Sequence, residues 1–292
     1  MPVVACIGLA VLDSVFFVES LPSGPHKHFA TDRSSSGGGP AAVAAVTVAR
    51  LGGDARFLGR VGDDAAGTRI LGWLHAERVD TTRSRAVMAA RSPVSSVFVD
   101  AVGERMIVNH TDQALFADET IDTGDVAGAD AVLVDRHWPA GAATALAAAN
   151  RLGIPGIADI DTAPHVGDAV LETASHLVFA SAALERLTGS GAAEGLSALR
   201  SRTDAFLAVT RGADGVDLQS GGADGHIDAI SVTAANTLGA GDVFHGAFAL
   251  SLAETGDEQE ALEFASAAAA VKVRDATIPD RSAVTAIRGG IP

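Results

Sequence analysis

Six short apolar runs, at 3–8, 56–60, 131–135, 156–160, 176–179 and 205–209, show no sustained alternation of polar and apolar residues. A strand wetted on one face alternates, whereas a strand covered on both faces does not. Stretches with helical spacing lie between these runs, at 40–51, 65–77 and 140–152, and two more, at 240–254 and 258–273, follow them. This order specifies a mostly parallel central sheet flanked by helices on both faces, a three-layer α/β fold in which residues 1–292 form a single domain.

Two stretches break the rhythm. Residues 14–19 are apolar and β-prone, then enter a Pro/Gly turn at 22–25 and continue to Arg33. Residues 95–108 read as two strands around the turn Asp100-Ala101-Val102-Gly103. They are either plain surface excursions or a small β lid, inserted from about 14–34 and 94–110, that covers a cleft.

Composition removes whole classes of function. With 36 acidic against 21 basic side chains the formal charge is −15, and a nucleic-acid binder needs the opposite balance. At 48% hydrophobic residues and a mean hydropathy of +0.27 the chain is not disordered. No run approaches the ~18 apolar residues of a membrane span, and the Ala-rich stretch after Phe264 stops at Lys272. A lone cysteine, Cys6, excludes an internal disulfide and a Cys-rich zinc site, and a cytoplasmic chain is expected. Only two of the basic residues are lysines, Lys27 and Lys272, so the place of each matters.

The sharpest local signal is Asn236-Thr237-Leu238-Gly239-Ala240-Gly241-Asp242, where a loop becomes a helix. Unpaired N–H groups and the helix dipole make such a start attractive to an anion. Asp242, in the first turn, stands where a carboxylate would take a proton from a hydroxyl attacking a phosphate. The alternative is an ordinary helix start, with Gly for close packing and Asp for the dipole. A second run, Ser34-Ser35-Ser36-Gly37-Gly38-Gly39-Pro40, reads as a backbone that a ligand approaches closely or as a flexible loop closed by proline. Asp13 follows the first strand, and Arg136-His137-Trp138 ends another, with a surface turn as the simpler reading. His26-Lys27-His28 reads as a solvated turn rather than a metal site, so no metal ligand is assigned. No P-loop, G-x-G-x-x-G, G-x-S-x-G or H-E-x-x-H pattern occurs.

Taken together, Gly38-Gly39, Arg50-Leu51-Gly52, the segment Gly59-Arg60-Val61-Gly62-Asp63-Asp64-Ala65-Ala66-Gly67 and Gly239-Ala240-Gly241-Asp242 resemble, in order, the signatures of the PfkB, or ribokinase-like, family of sugar kinases. The resemblance implies the three-layer fold with a β lid and transfer of the γ-phosphate of ATP to a sugar hydroxyl, with Mg²⁺ as cofactor. It makes Asp242 the catalytic base and Gly239, Ala240 and Gly241 the anion hole. Asp13, Gly38 and Gly39 would bind the sugar, and Thr210, Arg211, Gly212 and Gly215 the nucleotide. It also implies a homodimer formed through the lids, to which an edge strand with Phe16, Phe17 and Val18 would be suited.

Some positions depart from the family pattern. Val43 stands where many members have Asn, and 180–183 reads Ala-Ser-Ala-Ala where N-x-x-E usually organises Mg²⁺. Asn236 and Leu238 replace an Asp and a Thr, which removes the usual monovalent-cation loop. Similar departures, with Gly241-Asp242-Val243-Phe244-His245-Gly246, make the chain most similar to the subgroup that phosphorylates 6-deoxy-6-sulfofructose at its 1-hydroxyl. On that resemblance Lys27 and Asn109 would hold the sulfonate, with His137 and the adjacent Arg136 at the position of a partner arginine. The alternatives are a kinase for a neutral ketohexose, ribose or nucleoside, and a catalytically silent sugar- or nucleotide-binding protein.

Overall fold

The computed structural model describes residues 1–117, 120–162, 169–221 and 223–290. Its strands are β1 (Val3–Gly8), β2 (Val11–Phe17), β3 (Asp32–Gly38), β4 (Asp54–Gly62), β5 (Arg85–Val87), β6 (Val94–Val99), β7 (Arg105–His110), β8 (Ala131–Val134), β9 (Gly156–Ile160), β10 (His176–Ala180), β11 (Phe206–Thr210), β12 (Val216–Ser220) and β13 (Ala223–Ile227). The helices are α1 (Pro40–Arg50), α2 (Ala65–Ala76), α3 (Pro139–Leu152), α4 (Ala169–Thr173), α5 (Ser181–Thr188), α6 (Ala192–Arg200), α7 (Ala240–Thr255), α8 (Glu258–Asp275) and α9 (Arg281–Arg288).

Nine strands form the central sheet in the order β13-β12-β11-β10-β9-β8-β1-β4-β5, parallel except where β12 and β13 turn back. The unalternating runs are these central strands, and both of their faces are covered. Cys6, Phe57, Leu133 and Val178 join residues of α1, α7 and α8 in one core. The next residues along each strand, Ile7, Leu58, Val134 and Phe179, join α3, α5 and α6 in the other. Cys6 is a packing residue, and burial raises its thiol pKa far above the ordinary value.

The segment 59–67 turns out to be structural. The Asp64 carboxylate accepts from Gly67 N at 2.8 Å, capping α2, and from Ser92 Oγ at 2.6 Å. A Cβ on Gly62 would stand 2.4 Å from the Ala90 carbonyl oxygen, so only glycine fits this crossing.

The second sheet is the lid, in the order β3-β2-β6-β7. Its hairpin falls where the sequence places it: Asp100 accepts from Val102 N and Glu104 N, and Gly103 takes φ 87°. Its first excursion is longer than 14–34, because β2 already begins at Val11 and β3 continues to Gly38. The run Ser34-Ser35-Ser36-Gly37-Gly38 is therefore strand rather than flexible loop. Its poor intrinsic β propensity is overridden by seven paired positions along β2. Nor is β2 an edge strand, since it lies between β3 and β6.

Candidate active site

Strands β1, β8, β9, β10 and β11 all end on one side of the sheet, at Gly8, Val134, Ile160, Ala180 and Thr210. In open parallel sheets, ligands bind in the crevice outside these carboxyl ends. α7 begins there. Gly239, in the left-handed region at φ 75°, is its N-cap, and its first helical bond runs from Val243 N to the Gly239 carbonyl at 3.0 Å. The Gly241 and Asp242 amides thus have no intrahelical acceptor. A Cβ built on Gly241 meets nothing within 4 Å and the residue is exposed, so the helix start is open on that side.

Burial, together with the neighbouring charge of Asp159, pushes the Asp242 carboxyl up to about 7. Asp159, on β9, is itself buried, and burial with the charges of Asp161 and Asp135 holds it well above the usual carboxylate range. Between them stands His245, one turn along α7 from Asp242. Its Nδ1–H donates to the Gly241 carbonyl at 2.7 Å, and Asp159 Oδ2 lies 3.4 Å from the same nitrogen. Burial lowers the His245 pKa, so its ring is neutral at pH 7 and the local charge is that of the carboxylates.

Asp135, directly after β8, ties three elements together. Its Oδ2 accepts from Leu9 N at 2.7 Å and Ala41 N at 3.2 Å, and its Oδ1 from His137 N at 2.9 Å. A Cβ on Gly8 would fall 2.2 Å from this carboxylate. The start of α1 is thereby held against the sheet. Asp13 and Gly38 also meet, since a Cβ on Gly38 would stand 2.2 Å from Asp13 Oδ2. Gly39, at φ 95°, lies against the Leu9 carbonyl oxygen, 2.6 Å from its hypothetical Cβ. Burial raises the Asp13 carboxyl, partly offset by a hydrogen bond with Ser95.

Lid register decides what faces the cleft. Ser36, Asp13, Ser95 and Asn109 are direct neighbours across the four strands, so they form one row on one face. Arg105, four residues before Asn109 on β7, shares that face and donates to Thr237 Oγ1 at 2.6 Å. The face carrying Asp13 and Asn109 therefore turns toward α7. Lys27 is exposed in the segment between β2 and β3, and no hydrogen bond joins it to Asn109 or Arg136 among the described residues. Arg136 donates to the Thr162 carbonyl at 2.8 Å, and His137 is exposed. Trp138 is no surface turn but fully buried, with the Arg60 guanidinium 4.3 Å from its ring centroid.

On the other side of the crevice, Thr210 ends β11 and Arg211 opens a tight turn. Gly212 and Gly215 both take positive φ, 60° and 82°, and Arg211 N donates to the Gly215 carbonyl at 2.8 Å. The Arg211 guanidinium pairs with Asp217 at 3.0 Å, which fixes the turn and spends part of its charge inside the protein.

The pfkB family carbohydrate kinase profile matches residues 1–278. The chain belongs to this family. It is 29% identical to a Bacillus subtilis ribokinase over 92% of both chains, and 29% identical to an ATP-dependent ribose-1-phosphate kinase of Halopiger xanaduensis over 89% of this chain and 88% of the relative. Among solved structures, a provisionally named ribokinase from Agrobacterium tumefaciens superposes with a TM-score of 0.94 at 37% identity, covering 99% of this chain and 98% of that one. The Arabidopsis thaliana ribokinase complexed with ribose and ATP gives 0.85 at 25% identity over 97% of both. The fold is the ribokinase-like one, and the protein is an ATP-dependent pfkB-family sugar kinase that transfers phosphate to a sugar hydroxyl.

Among the described residues no group of three His, Cys, Asp or Glu side chains has metal-binding geometry, and Ala180 and Ala183 carry no ligand atoms at the end of β10. Among the described residues no helix is long and apolar enough to cross a membrane. Four residues of the crevice had no role in the sequence reading: Asp135, Asp159, His245 and Arg105. Asp135 and Asp159 carried one signal, a carboxylate at the end of an apolar run, which also marked Asp13.

Proposed function

We propose that the acceptor is 6-deoxy-6-sulfofructose and that its 1-hydroxyl is phosphorylated. Asp242 takes the hydroxyl proton, the amides at Gly239 and Gly241 receive the phosphoryl group, and Thr210, Arg211, Gly212 and Gly215 border the nucleotide. The Ala240 amide, which the resemblance groups with those of Gly239 and Gly241, already donates to the Thr237 carbonyl at 3.2 Å. Asp13, Gly38 and Gly39 hold sugar hydroxyls, while Lys27, Asn109, Arg136 and His137 surround the sulfonate. The observation that carries this reading is the row Ser36–Asp13–Ser95–Asn109. Asp13 and Asn109 stand two strand spacings apart, about 10 Å, comparable with an extended six-carbon sugar and its terminal acid group. A carboxylate at one end suits hydroxyl donors, and an amide N–H at the other suits an anion.

Phosphotransfer itself follows from α7. A base with a pKa of about 7 is half ionised near neutrality, and the helix start beside it stabilises charge on the phosphoryl group as it develops. A silent binding protein has no use for so costly a carboxylate beside an open anion cradle. A second reading, ribose as acceptor, is favoured by the relatives that are named ribokinases.

ADP release with MgATP against 6-deoxy-6-sulfofructose, fructose, ribose, fructose 6-phosphate and adenosine separates these readings. Preferential turnover of the sulfosugar, with KM raised in Lys27→Ala and Asn109→Ala, supports the first. Turnover of ribose indifferent to both variants replaces it with the second.

Dimerisation through the lid rests on a different surface from the one the sequence suggested. Val18 is buried and Phe17 lies on the cleft face, whereas Phe16 stacks on Phe98 at 5.6 Å on the outer face, beside exposed Val94 and Val108. A dimeric mass by light scattering, lost in Val108→Glu, is the expected result.

A further inference from the structure

Lys272 is the second of the chain's two lysines and sits near the end of α8, only 7% exposed. Lysines are almost never this buried unless paired. Yet no hydrogen bond or ion pair to a described residue engages its ammonium, whose nitrogen is not fully buried, and the charges acting on it are those of Arg105 and Asp242. The same turn of α8 is fastened to the loop that leads into α7, because the Val273 carbonyl accepts from Ala235 N at 2.9 Å and Asn236 N at 3.1 Å. From the opposite side Arg105 reaches Thr237 Oγ1, on the same loop. Two cations thus converge on the segment that ends in the open amides of Gly241 and Asp242.

We propose that Lys272 and Arg105 complete the anion cradle at the start of α7 by holding the phosphoryl group that ATP transfers. The proposal rests on the phosphotransfer reading and names two further residues for it. Their attachment to the loop that leads into α7 is the argument, and their charges agree with it. Burial, then Arg105, lower the Lys272 pKa, and Asp242 raises it. During transfer the acceptor O–H bond breaks and its proton goes to Asp242. The acceptor oxygen bonds to the γ-phosphorus while the bond from that phosphorus to the β,γ-bridging oxygen breaks, its electron pair leaving with ADP. Asp242 is then neutral, and both cations are left facing the phosphoryl oxygens. Lys272 belongs to the helical layer and Arg105 to the lid, so the cradle draws on both.

The test is calorimetric titration of ADP and of adenosine 5′-(β,γ-imido)triphosphate, each with Mg²⁺ and without any acceptor, into the full chain, Lys272→Met, Lys272→Arg and Arg105→Gln. The expected result is a loss of about 10–100-fold in affinity for the triphosphate analogue in Lys272→Met and Arg105→Gln, the worth of one hydrogen bond to a charged group. ADP affinity should change less than about twofold, and Lys272→Arg should keep most of the triphosphate affinity. Turnover of Lys272→Ala should recover with added ethylammonium, to which the unaltered chain is indifferent. Equal losses for ADP and the analogue, or no loss for either, would overturn the proposal. Because no sugar is present in the titration, a wrong acceptor leaves its outcome unchanged. A chain that binds neither nucleotide overturns the phosphotransfer reading and this one with it.

Discussion

α1 and α7 begin alike in sequence, each with glycines followed by small residues, and pack together so closely that a Cβ on Gly246 would stand 2.5 Å from the Ala44 carbonyl oxygen. Their N-termini nevertheless do opposite things. At α1 the glycines admit other parts of the protein: Asp13 lies on Gly38, the Leu9 carbonyl lies on Gly39, and the Ala41 amide is already taken by Asp135. At α7 a Cβ on Gly241 would meet nothing, and the Gly241 and Asp242 amides have no acceptor within the helix. A glycine-led helix start is therefore not in itself an anion site. What matters is whether the protein fills the start with its own acceptors, as it does at the Ala41 amide of α1 and does not at the Gly241 and Asp242 amides of α7.

The largest expected effect is at α7. Asp242→Asn should lower turnover by about 10²–10⁴-fold, the usual worth of a positioned base, as measured by ADP release. The same change should raise the thermal midpoint at pH 8. The folded pKa of Asp242 is above its unfolded value, so its contribution to stability is present in acid and lost as pH rises through about 7. The gain in Asn should accordingly be absent at pH 4; a gain of equal size there would break the argument.

Exchanging glycine for alanine tests the comparison directly. Gly39→Ala forces a side chain into φ 95° and against backbone, and should cost about 1–3 kcal/mol or more of stability. Gly241→Ala should leave the denaturation midpoint nearly unchanged while weakening binding of the triphosphate. If both variants lose stability alike, the two helix starts are not different in kind. Asp135→Asn comes next, with a loss of about 1–3 kcal/mol in denaturant unfolding, because an amide cannot accept from Leu9, Ala41 and His137 together. The smallest effect is on pH dependence. kcat/KM should rise with pH through about 7 as Asp242 ionises, and Asp159→Asn, by removing a charge that raises Asp242, should move that rise to lower pH.

Much of this arrangement was legible along the chain. Continuous apolar runs such as 131–135 could only be strands covered on both faces, and α7 was visible because Gly239-Ala240-Gly241-Asp242 combines helix start, open backbone and carboxylate in four residues. The strand Ser34-Ser35-Ser36-Gly37-Gly38 was not legible, since serine and glycine carry no β signal and its partner strand supplies the whole of its pairing. Trp138 looked like part of a turn because its burial depends on Arg60 and Phe116, far off in sequence.

By itself, then, the sequence determined the layer architecture and marked the start of α7 with its carboxylate Asp242, because hydrophobic periodicity and helix-start chemistry are local. The tertiary structure alone decided which glycines abut other parts of the protein and which do not, and that Asp159 and His245 act on Asp242 while Arg105 and Asp242 act on Lys272. Electrostatic fields and steric contacts act through space between strands, helices and lid, and no spacing along the chain encodes them.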